Sequence, residues 1–401
     1  MSHTTRLSLG RTFYVIWIFY FLSFIASYAL LPTIPLHLRE LGASVKESGR
    51  FTTAFMLGAG FGALVTGPLG DRWGQKTILR WATLIAGVCF ASYAFLDKIW
   101  LFFLVGVPHG VIWSGYRTST LALVGGFLPE ARRAEGFAFF GMAAPAGAAL
   151  GPLLGIWLMA LVGFSETMLI IAALAASLVF ILGRLPDGEA TQGRPGAPLE
   201  LDPPLAAEAR AAQNRKWLFT PIVVLACIAI SYGPLPSYGA QEAVDLNIRW
   251  ASALMSCYGG GMVTLRLILG WRGMGESPFR LLPFMLAVNV AAALGLAVMP
   301  GGLMRHILCG ALFGASFGMA HTLIWAYAMG RAESKKRGAT AGILYFAYDI
   351  GIGLGSLLIG FPMEHLGYRW GWGACALSLC AAWLAGRKLI YGSRNDGAVW
   401  L

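Results

Sequence analysis

Residues 67–76 read GPLGDRWGQK, placing an acid, two bases and three glycines between two long apolar runs. The turn acquires a meaning only once those runs are identified. The chain has 401 residues, 57% of them hydrophobic and 12% charged, with a mean hydropathy of +0.66. A soluble protein keeps roughly a quarter of its residues charged. Here the charge is missing from unbroken blocks such as 12–31, 51–69, 101–124 and 307–329. Blocks of about twenty residues match the thickness of a bilayer core. Inside that core every backbone amide must be satisfied within its own segment, which makes the blocks helices. The chain therefore reads as an all-α polytopic membrane protein.

Twelve spans are expected, at 11–38, 45–69, 77–96, 99–124, 136–160, 164–183, 217–240, 250–270, 279–299, 303–329, 338–361 and 368–390. An even number puts both termini on one side. With that side cytoplasmic, its loops and ends hold 21 of the 30 lysines and arginines, the opposite face holds 7, and Arg117 and Arg266 fall inside spans. By the positive-inside rule this bias sets a multi-pass protein of the cell (inner or plasma) membrane with both termini in the cytoplasm. The net charge of +11 is thus topology, and no nucleic-acid partner is expected. No small-residue cleavage site follows the first span, so it is expected to stay in the mature chain. Cysteines 89, 227, 257, 309, 375 and 380 all lie in apolar spans without paired spacing and read as small buried hydrophobes. No phosphate loop, nucleophile triad or metal-ligand cluster is found, so neither catalysis nor a cofactor is expected.

The longest polar interruption, 184–216, is rich in proline and alternating charge and reads as a cytoplasmic linker. It divides a six-span bundle at 1–183 from another at 217–401. The halves share a register at an offset of 204 residues: Pro32 falls on Pro236, Gly106 on Gly310, Gly110 on Gly314, Gly147 on Gly351, and LGPLL at 150–154 on LGSLL at 354–358. Two copies of a six-helix unit are an architecture of secondary transporters, with the site between the copies near the bilayer midplane.

Against that background GPLGDRWGQK resembles the loop between spans two and three of the major facilitator superfamily, whose pattern is G-x-x-x-D-R-x-G-R-R/K. Gly67, Asp71, Arg72, Gly74 and Lys76 match, while Gln75 stands where the family has a base. The loop at 270–280 keeps Gly270 and Arg272 but lacks the acid, and PEARRAEG at 129–136 and KKRGATAG at 335–342 resemble two further family turns. The resemblance implies twelve transmembrane helices in two pseudo-symmetric six-helix bundles that work by alternating access. It also implies that Asp71 faces the positive N-terminus of span eleven, near Gly338, and latches the cytoplasmic ends together. Gly67 and Gly70 are expected to let helices pack closely there.

Span five carries Gly147, Gly151, Pro152 and Gly155, a spacing similar to that of family members that exchange protons for exported solutes. The same spacing serves plain close packing equally well. In span four the family's frequent arginine falls at Gly106, with His109 in a neighbouring family slot. Arg117 lies further along, on one stripe with His109, Trp113 and Tyr116. Span ten adds His321 and Trp325, and spans one and seven add Tyr28 and Tyr232; in the family these four spans line the central cavity. A charge deep in the bilayer costs about 3 kcal/mol on insertion scales. Asp349 is the acid expected near the midplane, and Asp349 with Arg266 is the candidate proton-coupling pair. A structural lock between spans eleven and eight would use the same two residues. The leading expectation is a monomeric, proton-coupled exporter of a small amphipathic or anionic solute. The alternatives are an importer that holds an organic anion on Arg117 and His321, or a receptor or assembly factor that kept the fold without transport.

Overall fold

A computed structural model of the protein describes residues 9–128, 132–185, 216–272, 278–332 and 337–395. Most of the expected linker therefore lies outside the described residues. The helices of the first half are α1 (Arg11–Glu40), α2 (Val45–Trp73), α3 (Gln75–Tyr93), α4 (Ile99–Phe127), α5 (Arg133–Phe140), α6 (Ala143–Val162) and α7 (Phe164–Gly183). The second half contributes α8 (Lys216–Tyr232), α9 (Pro234–Asp245), α10 (Ala253–Arg272), α11 (Leu282–Val298), α12 (Leu303–Arg331), α13 (Arg337–His365) and α14 (Tyr368–Asn395). Among the described residues there is no strand. Among the described residues ten helical stretches are long and apolar enough to cross a membrane on their own, with α5–α6 and α8–α9 each forming one; α3 and α14 are not among them.

Two expected spans are broken, and proline explains both breaks. Pro145 cannot donate to the Gly141 carbonyl, and the chain turns at Gly141 and Met142 between α5 and α6. Pro234 and Pro236 likewise remove the donors for Ile230 and Tyr232 at the α8–α9 break. The turn between α2 and α3 rests on Gly74, whose φ of +85° is a left-handed value that a side chain would strain. The matched glycines Gly110 and Gly314 have a common cause. An ideal Cβ on Gly110 would sit 1.8 Å from the Phe55 carbonyl oxygen of α2, and one on Gly314 1.8 Å from the Tyr258 oxygen of α10. Each half thus presses a helix onto its neighbour's backbone at the same place.

The halves meet along α2 against α13 and α6 against α10. At the end carrying the 41–44 turn, the contact is closed by polar bonds. The Ser44 hydroxyl and the Lys46 amide (2.8 Å) both donate to Glu364, Gln241 Nε2 donates to Ser48 (2.8 Å), and the Ser356 hydroxyl donates to the Gly49 carbonyl (2.9 Å). Further in, the Thr53 hydroxyl reaches the Gly353 carbonyl at 2.9 Å, and Phe61 meets Phe346 edge to face at 5.5 Å. Beyond that point the two helices part: nothing lies within 4 Å of an ideal Cβ on Gly67 or Gly342. Gly67 therefore makes no close helix contact among the described residues in this state, contrary to the packing role expected of it, and the atoms nearest an ideal Cβ on Gly70 belong to the side chain of Gln75.

A charged cavity between the halves

Where α2 and α13 begin to diverge, a cavity of about 180 Å³ opens between the halves. An ion pair in its wall joins them. Arg117 of α4 grips Asp349 of α13 in a fork: Nη1 donates to Oδ1 at 3.1 Å, and Nη2 donates to Oδ2. Asp349 is 1% exposed and Arg117 9%. Bidentate arginine–carboxylate bonds are among the strongest polar contacts and fix direction as well as distance. The guanidinium also lies 4.8 Å from the Tyr345 ring and 5.8 Å from that of Trp113. The lock expected between Asp349 and Arg266 is not present. Arg266 instead points across to the first half, where Nη1 donates to the Gly141 carbonyl and Nη2 approaches the Thr322 hydroxyl at 3.4 Å. Gly141 can accept because Pro145 has taken away its helical donor.

Of the residues expected to line the cavity, Tyr28, Trp113, Arg117, Tyr232 and His321 do so. His109, Tyr116 and Trp325 do not. Positions four apart on a helix drift by about 40°, so the stripe turns as it runs, from His109 in the packing of the first half to Arg117 in the cavity. His109 is clasped in the first half by Phe55, Phe90 and Tyr93, whose hydroxyl lies 3.3 Å from Nδ1. Tyr116 stacks on Phe19 at 5.7 Å, and Trp325 packs 4.5 Å from Tyr345. The span-five glycines are spent on packing. Ideal Cβ atoms on Gly147, Gly151 and Gly155 would fall within 2.8 Å of α1 atoms at Phe24, Ile25 and Ala29. The Asp71 carboxylate is exposed and accepts from Gln75 at 3.2 Å, while Lys76 is buried on the Leu185 carbonyl.

Two features escape a reading of the sequence. Tyr20, Tyr258, Tyr345 and Tyr348 also line the cavity; the last two flank the acid in YFAYD, which was the available signal. The other is a buried cluster near the closed end. Glu242 accepts from Arg305 at 2.6 Å and from Trp372 at 2.8 Å, and it lies 3.3 Å from His306. Glu242 sits just outside an expected span and Arg305 at the first turn of another, so both read as solvated.

The helices thus enclose a cavity between a closed end and a divergent end, and an ion pair joining the halves crosses it. A sequence profile described as "Major Facilitator Superfamily" matches residues 16–356, and the chain belongs to that superfamily. It is 29% identical over 141 residues to a gallate transporter of Pseudomonas putida, covering 35% of this chain and 31% of that protein. It is 28% identical over 168 residues to the multidrug resistance protein MdtG of Proteus mirabilis, covering 41% and 42%. The chain thus matches less than half the length of these relatives. The nucleoside transporter NupG shares the fold, with a TM-score of 0.70 at 17% identity over 95% of this chain and 99% of that one.

Proposed function

We propose that the protein is a proton-coupled secondary transporter of a small solute, and that the Arg117–Asp349 pair is its coupling element. One observation carries this reading: a buried, bidentate pair contributed by both halves lies in the cavity wall. Protonating Asp349 removes the only negative partner of Arg117 among the described residues, unfastens the halves and leaves a cation facing the cavity. A solute anion is attracted by that same event, so proton and anion travel together, and a cell's inward proton gradient drives uptake. Export, expected from the span-five glycines, loses that support because they pack α6 on α1; the similarity to MdtG remains in its favour. With both termini cytoplasmic, as the distribution of bases supports, the divergent end is the cytoplasmic one.

The test is flux in proteoliposomes under an imposed pH gradient, with gallate as the first probe and protein-free vesicles setting the passive leak. Uptake with protons accumulates gallate on the alkaline side; exchange against protons accumulates it on the acidic side. Gallate and a panel of other aromatic acids, amines and nucleosides that all equilibrate without regard to pH would overturn coupling.

Asp71 is exposed here because the cytoplasmic ends are apart. In the opposite state it is expected to meet the N-terminus of α13, an interaction worth about 0.3–1 kcal/mol, or more when partly buried. Asp71→Asn should therefore shift the resting population further toward the cytoplasm-open state by about two- to fivefold. Spin-label distances between positions 75 and 339 should lengthen in the mutant, and an unchanged distribution would remove the latch.

A further inference from the structure

We infer that the solute is an aromatic monocarboxylate and that Arg266 binds its carboxylate. The inference rests on the cavity being the transport site and deepens that reading. The cavity's fixed charges do not cancel. Arg117 is neutralised by Asp349, whereas among the described residues no carboxylate lies within ion-pair distance of Arg266, and His321 can add only positive charge. A lone cation in a low-dielectric space attracts anions and repels cations far more strongly than in water.

Arg266 is also placed and held for this role. Counting 1.5 Å per residue from the cytoplasmic ends of their helices, Arg266 lies about 9 Å in, the Arg117–Asp349 pair about 15–18 Å, and Tyr232 about 24 Å. Arg266 is thus the first charge met from the open end. Its Nη1 is anchored on the carbonyl that Pro145 frees, which fixes the guanidinium plane, while its one other hydrogen bond among the described residues is the long one to Thr322. The rest of the fork remains available, and a guanidinium fork matches the planar geometry of a carboxylate.

Size and lining set the remainder of the ligand. A cavity of about 150 Å³ admits benzene, so about 180 Å³ admits one ring with a small charged substituent. The walls are aromatic on both sides, with Phe24, Tyr28 and Trp113 from the first half and Tyr258 and Phe317 from the second. At the deep end the buried Tyr232 hydroxyl faces the Tyr28 hydroxyl, without a hydrogen bond of ordinary length. A water that enters with the ligand would complete the hydrogen bonding there.

The test is isothermal titration of the purified full-length protein in detergent with benzoate, its neutral isostere benzamide, and the cation benzylamine. Benzoate should bind saturably, benzamide about tenfold more weakly or worse, and benzylamine not at all. Arg266→Gln should weaken benzoate by about ten- to a hundredfold, to the level of benzamide. Because that change also removes the bond to Gly141, Arg266→Lys provides a second reading; it keeps the cation without the fork, and should hold benzoate about threefold or more tighter than Arg266→Gln does. Equal binding of acid and amide, or wild-type benzoate affinity in a folded Arg266→Gln protein, overturns the inference. Binding in detergent needs no gradient, so the two readings fail separately. Benzoate bound through Arg266 without proton-linked flux overturns coupling alone, and proton-linked flux with acid and amide bound alike overturns the carboxylate site alone.

Discussion

Asp349→Asn is expected to abolish accumulation of solute driven by a pH gradient while leaving exchange at equal concentrations intact. A difference of one pH unit is worth 1.36 kcal/mol per proton, so coupling to one proton sustains about tenfold accumulation per unit. Asparagine has the shape of the acid but carries no titratable proton, and the ratio should fall to one. It still offers Arg117 a carbonyl oxygen, so one of the two bonds of the fork persists and the protein should insert and fold. The inter-half tie is weaker without the charge, and exchange should be as fast as in the wild type or faster. Gallate accumulation in proteoliposomes, at several imposed gradients and corrected for leak, reads the ratio directly. A mutant that accumulates solute with the wild-type dependence on pH would show that the pair is only a structural lock and that coupling lies elsewhere.

The largest stability effect is expected far from the cavity, at Glu242→Ala. The wild-type carboxylate is 1% exposed and balances Arg305, itself 2% exposed, with His306 and Trp372 completing its shell. Removing one partner of a buried pair costs about 3–5 kcal/mol because the other charge is left uncompensated. The apparent Tm of the purified protein should drop by several degrees. Glu242→Gln, which keeps the acceptor for Trp372, should lie between mutant and wild type. The effect should reach the closed end of the molecule. The preceding residue, Gln241, donates to Ser48 of the opposite half at 2.8 Å and rides on the same helix as Glu242. Loosening that helix should raise the accessibility of a cysteine placed at Ser48 to a thiol reagent. An alanine variant with wild-type Tm and an unreactive position 48 would mean that the cluster holds neither the half nor the gate.

Much of this protein follows from its amino-acid order alone. Hydropathy and backbone hydrogen bonding compel helices wherever some twenty apolar residues run together, and the motif around Asp71 marks the superfamily to which the chain belongs. Deep charges are costly, which is why Arg117, Arg266 and Asp349 stand out as functional candidates in the linear sequence. What the sequence leaves open is which charge meets which, because partners 232 residues apart are brought together only when α4 and α13 both pack on α2. Helical periodicity put His109 and Arg117 on one stripe, but its drift per turn, and the neighbours on α2 and α3, send one into packing and the other into the cavity. The same holds at the span ends, where Glu242 and Arg305 look solvated in sequence. Tertiary contact buries them together, since burial is a property of what surrounds a residue and not of the residue itself.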